Sequence, residues 1–360
     1  MNPKRPLLMA TLLTLSLAFG AQLLPVSARG LQAEARPLDL ELGAATARAA
    51  EQLRAKAGKP VQAEWSEHSF ATPDGQLAYT RLGHGPLLVV IPGGPGGSGH
   101  KLREAFRPLA SEFSIVVLDN IGRGRSARLA DASRYTVDRD ADDIERLRRF
   151  LGVETLALYG HSYGGLVVQA YAAQHPRSVD HLILGNTLHG ARSWQEQIDG
   201  FKEWLRRNHP ERWQRLLELR AQGQLSGSAE AQALFGEPVM PMYWADRAAP
   251  HGASTASADP RDAMNKAVYL AMLGPDPEWC VGGTLQDVEM LPRLKKVSAP
   301  TLLLTGRFDP VAPPSVMNEM QRALLPSLKP QALVFERSGH RPFIEEPEAW
   351  AKAVSSFLLR

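Results

Sequence analysis

The chain has 360 residues, 44% hydrophobic and 22% charged, with Lys+Arg 41 against Asp+Glu 38 and a net charge of +3. This is ordinary globular composition, and it excludes a disordered chain, a collagen-like fibre and a disulfide-stapled miniprotein. So even a charge balance argues against a nucleic-acid partner, which needs a basic stripe, and the single cysteine, Cys280, excludes an intramolecular disulfide and a zinc site built on paired cysteines.

Lys4-Arg5, an apolar run over residues 7–19 and the small residues Val26-Ser27-Ala28 follow the order of a secretory signal. The run is short for a membrane span. Residues 1–28 are therefore expected to be cleaved, leaving a soluble protein exported to the periplasm or the medium, with no membrane partner. Residues 29–60 read as a connector with a short helix over residues 44–57. From Trp65 to Leu82, two strand-like runs flank Pro73-Asp74-Gly75 and predict a hairpin.

Continuous apolar runs at residues 86–91, 114–119, 155–159 and 181–184 predict strands buried on both faces. Helical stretches fall between them at residues 137–151 and 166–174. This alternation predicts an α/β fold with a mostly parallel sheet flanked by helices. Between residues 188 and 290 the pattern changes to a helical insertion, with one helix expected over residues 201–219. Sheet strands resume at residues 301–304 and 332–335, and a terminal helix spans 348–359. The sheet domain is thus discontinuous, residues 61–187 and 291–360, with residues 188–290 as a cap. Five of the seven tryptophans lie in the cap. Trp204 and Trp213 are expected to pack its core, whereas Trp244 and Trp279 either pack there or line a substrate pocket.

Gly160-His161-Ser162-Tyr163-Gly164-Gly165 fits G-x-S-x-G between a predicted strand and a predicted helix. In that setting the serine is held on a sharp turn above the sheet. A nucleophilic serine needs a base, and the base an orienting carboxylate. Asp309 and His340 each follow a predicted strand at the sheet edge that carries Ser162, in the chain order Ser, Asp, His. Asp287 is the alternative acid, and His161 is expected to point away from the serine. The oxyanion donors would be the N–H of Tyr163, next after the nucleophile, and that of Gly94 in the glycine loop after the first core strand. That loop has no G-K-[ST], so no phosphate cradle is expected, and neither a metal nor an organic cofactor is implied.

These motifs resemble the α/β-hydrolase superfamily and, within it, the proline iminopeptidase family, over residues 65–360. Gly93-Gly94-Pro95-Gly96 is similar to that family's H-G-G-P-G. Residues 119–126, Asp-Asn-Ile-Gly-Arg-Gly-Arg-Ser, are similar to its D-Q-R-G-x-G-x-S, and Gly274-Pro275-Asp276-Pro277-Glu278-Trp279 to its G-P-x-E-aromatic. Pro92 stands where the family has histidine, Asn120-Ile121 where it has Gln-Arg, and one residue is inserted before Glu278. The family's second amine-binding acid has no counterpart. The resemblance implies an α/β-hydrolase fold and Glu278 as the group that binds a substrate's α-amine. The expected substrate is a small peptide or an amino-acid amide or ester. The expected activity is a serine aminopeptidase, with a carboxylesterase or lactonase using the same Ser-His-Asp set as the alternative.

Overall fold

Strands that are apolar on both faces can only be satisfied between two layers of helices. The computed structural model, which describes residues 64–248 and 259–360, has that arrangement. Eight strands form one sheet: β1 (Ser66–Thr72), β2 (Gly75–Leu82), β3 (Leu87–Ile91), β4 (Ser114–Asp119), β5 (Leu156–His161), β6 (Val179–Gly185), β7 (Thr301–Gly306) and β8 (Gln331–Phe335). Their order is β1-β2-β4-β3-β5-β6-β7-β8. The pairs that involve β2 are antiparallel and all the others parallel. The expected signal segment and the connector helix lie outside the described residues. Among the described residues, no helix is long and apolar enough to cross a membrane.

Alternation along each strand divides the core in two. Val89 and Ile91 of β3 and Val116 and Leu118 of β4 pack on one face, against helices α2 (Val137–Leu151) and α3 (Tyr163–Gln174). Leu88, Val90, Ile115 and Val117 pack on the other. They meet Phe106 of helix α1 (His100–Phe106) and Trp350, Val354 and Phe357 of the C-terminal helix (Pro347–Leu358). Helix α2 is bounded as its sequence dictates. The Thr136 side chain accepts from the Arg139 N–H at its start, and Gly152 ends it in the left-handed region at φ 67°.

Between β6 and β7 the chain forms helices α4 (Ala191–Asn208), α5 (Pro210–Ala221), α6 (Ala229–Val239) and α7 (Lys266–Leu273). The single helix expected over residues 201–219 is two, broken at His209-Pro210. Proline has no N–H to donate and excludes helical backbone at the residue before it, and His209 sits at φ −139°, ψ 63°. Phe201, Leu205, Leu216, Leu219, Phe235 and Val239 form the insertion's own apolar core, with Trp204 and Trp213 packed against it. Where the insertion leaves and rejoins the sheet its two ends are fastened together. Gly190 pairs with Glu289 in an isolated bridge, and the Met290 N–H donates to the His189 carbonyl at 2.7 Å.

Candidate active site

Ser162 lies at the turn from β5 into α3 with φ 53° and ψ −124°, a conformation that costs an L-residue strain. Neighbouring backbone holds it there. The Ser162 N–H donates to the Gly185 carbonyl at 3.0 Å, and its carbonyl accepts from the Gly165 N–H at 2.9 Å and the Thr187 hydroxyl at 2.6 Å. Gly164 is tightly constrained, because a Cβ there would stand 2.2 Å from the Ile91 carbonyl oxygen. This close approach brings the loop after β3 against the start of α3. In that loop Gly94 takes φ 149°, and a Cβ on it would come within 2.5 Å of the Gly96 nitrogen. As the first residue of α3, Tyr163 has an N–H with no intrahelical acceptor.

Behind the turn, the Tyr163 side chain is anchored by a buried ion pair. Arg123 donates to both oxygens of Asp140 at 2.8 Å, and the Tyr163 hydroxyl donates to the same carboxylate at 2.5 Å. Burial pushes the Asp140 carboxyl up to about 6, against the pull of Arg123. This is the work of the 119–126 motif. Its arginine fixes the element that presents the serine.

Asp309 follows β7 and His340 follows β8, and both are buried. The His340 Nδ1 lies 3.0 Å from each oxygen of Asp309. An ionised carboxylate can only accept, so Nδ1 carries the proton and Nε2 is left as a base. Asp309 also accepts from the Val311 N–H at 2.8 Å and from Asn186 Nδ2 at 2.9 Å. Asn186 was not singled out in the sequence. It is buried at φ 52°, just past β6 at the same sheet edge as Ser162, and that position is the signal that would have found it. Ser162 and His340 line one cavity of about 620 Å³. Among the described residues no hydrogen bond joins the Ser162 hydroxyl to His340, and such contacts commonly tighten only around substrate. Asp287, the alternative acid, is exposed and does not line the cavity.

The cap closes this cavity with Trp194, Ile198, Phe201, Phe235, Tyr243 and Tyr269, while Pro92, Gly93 and Gly94 form part of its floor. Glu278 lines it too. Its Oε1 accepts from the Tyr269 hydroxyl at 2.9 Å and from Gln232 Nε2 at 3.0 Å, and it makes no ion pair among the described residues. Burial raises this carboxyl above the usual range against those two hydrogen bonds.

Three expectations need correction. Trp279 does not line the cavity. It stacks on Trp213 at 5.1 Å, with the Arg220 guanidinium 3.9 Å from its ring centroid, so a second indole and a cation occupy it instead. Trp244 does not line it either, and its ring lies 4.9 Å from the guanidinium of Arg341, which does. His161, by contrast, lines the cavity with its ring centroid 4.9 Å from that of His340. Burial, then the neighbouring His340 and Arg341, depress the His161 imidazole far below its ordinary value and keep it neutral.

Residues 86–347 match the family model of the alpha/beta hydrolase fold. The chain is 27% identical to the proline iminopeptidase of Heyndrickxia coagulans over 305 residues, covering 82% of this chain and 99% of that one. It is 29% identical to that of Lactiplantibacillus plantarum over 286 residues, 75% of this chain and 91% of the relative. Among solved structures, it superposes on the proline iminopeptidase of Mycobacterium smegmatis with a TM-score of 0.67 at 24% identity, over 81% of this chain and 97% of that one.

Proposed function

The chain belongs to the α/β-hydrolase fold family, and on that premise we propose an exported serine aminopeptidase that releases the N-terminal residue of a short peptide or amino-acid amide. His340 Nε2 takes the Ser162 proton as Oγ attacks the scissile carbonyl, and the Tyr163 and Gly94 N–H groups receive the developing oxyanion. His340 then gives that proton to the leaving nitrogen as the C–N bond breaks, leaving the acyl group on Ser162. A water, deprotonated by the same imidazole, cleaves the ester and restores the hydroxyl. Asp309 holds the imidazole in the required tautomer throughout, held in turn by Asn186 and Val311.

Glu278 carries the choice of an amine-bearing substrate. A carboxylate inside the cavity of Ser162, bound only by neutral donors, is matched to an ammonium. The similarity to proline iminopeptidases supports the same reading. The test is a panel of aminoacyl arylamides, proline and alanine included, beside their N-acetyl derivatives and simple p-nitrophenyl esters. Cleavage of free-amine substrates well above their acetylated forms is expected. Equal cleavage of both would hand the site to the second reading, a carboxylesterase or lactonase, which the cavity's 620 Å³ and its apolar, aromatic cap lining favour.

A further inference from the structure

Arg341 directly follows the base His340 and lines the same cavity as Ser162 and Glu278. The Trp244 ring lies 4.9 Å from its guanidinium. Among the described residues the Arg341 guanidinium makes no hydrogen bond and no ion pair. The Glu345 carboxylate, whose charge acts on it, is engaged elsewhere, with one oxygen accepting from the Ala245 N–H and the other from the Gly339 N–H, each at 2.7 Å. Burial weakens the guanidinium's hold on the proton, and Tyr243 and the Glu345 carboxylate oppose this only in part. Glu278 and Arg341 do not pair with each other. The cavity therefore holds one anion and one cation that are in no ion pair, and both gain when an opposite charge arrives beside them.

We propose that the cavity is built for a zwitterionic short peptide, with Glu278 taking the α-ammonium of the N-terminal residue and Arg341 the α-carboxylate of the residue whose nitrogen departs. The amine half rests on the aminopeptidase reading, whereas the carboxylate half does not. The placement follows from the chemistry. His340 must reach the leaving nitrogen to protonate it, so the residue next to His340 stands on the leaving-group side. A guanidinium presents two parallel N–H groups to a carboxylate, a planar match that an ammonium cannot copy. The preferred substrates are thus dipeptides with a free C-terminus.

The test compares kcat/KM for a dipeptide and for its C-terminal amide, using the N-terminal residue that the arylamide panel favours. The wild type should prefer the free acid by about tenfold or more, as expected for a hydrogen-bonded charge. In Arg341→Gln the ratio should fall to about one, and in Arg341→Lys it should be intermediate. A ratio cancels any loss of folded enzyme, because both substrates meet the same preparation. A wild-type ratio near one, or one that survives in Arg341→Gln, overturns the proposal. A second pair, the 4-carboxyphenyl and 4-carbamoylphenyl acetates, contains no amine. It reads Arg341 in the same way even if N-acetylated substrates prove as good as free ones and the aminopeptidase reading fails.

Discussion

Replacing Glu278 with glutamine separates the cost of this carboxylate from its use. The amide oxygen can still accept from Tyr269 and Gln232, so the local packing is retained and only the charge is removed. Breaking a desolvated charge pair costs about 2–5 kcal/mol, roughly a 30- to several-thousand-fold loss in kcat/KM for a free-amine aminoacyl arylamide. The neutral p-nitrophenyl ester has no ammonium to lose and should change far less. N-acetylating the substrate should mimic the substitution in the wild type and add little on top of it, since both remove the same pair. Stability should move the other way. The folded-state pKa of Glu278 is raised, so the folded chain holds this proton more tightly than the unfolded one. The stability from that extra binding is complete below the unfolded value and is lost as pH rises through the folded one. At neutral pH the carboxylate is a burden, and Glu278→Gln should melt at or above the wild-type temperature, the gap closing as the pH falls to about 4. In the wild type, acidification should depress amine turnover relative to ester turnover. Steady-state kinetics on the three substrates and thermal melts at two pH values test this together. Equal kinetic losses on charged and neutral substrates, or a variant that melts well below the wild type at neutral pH, would refute the reasoning.

The remaining expectations concern the nucleophile, its support and the N-terminus. Ser162→Ala should abolish both fluorophosphonate labelling and turnover, and labelling that survives would move the nucleophile elsewhere. His340→Ala should lower kcat on the order of 10³-fold or more. Asn186→Gly suits the positive φ but withdraws one hydrogen bond from Asp309, so kcat should fall about tenfold with little change in KM. An unchanged kcat would show that Val311 and His340 suffice to hold the carboxylate. N-terminal sequencing of the exported protein should begin near Arg29, and finding Met1 on the soluble exported form would sink the signal-peptide proposal.

The sheet and the positions of Ser162, Asp309 and His340 were legible because each depends on local pattern. A strand buried on both faces is written as an unbroken apolar run, and the chemistry sits in the few residues after it. The break at Pro210 was missed, because the apolar periodicity running through it masked the proline. Trp244 and Trp279 were misplaced because an aromatic-rich segment does not say what an indole packs on, and at Trp279 the arginine and second indole that decide it both come from α5, more than fifty residues earlier. Asn186 and Arg341 owe their roles to contacts, or to missing contacts, across the fold. Asn186 meets a carboxylate 123 positions away. His161 was misread from its place beside an outward-thrust serine. The rings of His340 and Phe343 receive it, and neither is near it in sequence.

The clasp that ties Gly190 to Glu289 has an evolutionary consequence. The insertion departs and returns at one point, so its length and content can change without shifting the spacing of β6 and β7. In the proposed mechanism the bond-breaking residues all follow strands of the sheet, and the group that takes the amine rides on the insertion. Arg341, the group proposed for the far end of the substrate, follows β8 beside His340. Descendants of such a scaffold can therefore alter what they accept at the front of a peptide by redrafting residues 191–288. Their requirement for a free tail would drift separately, one codon away from the catalytic histidine.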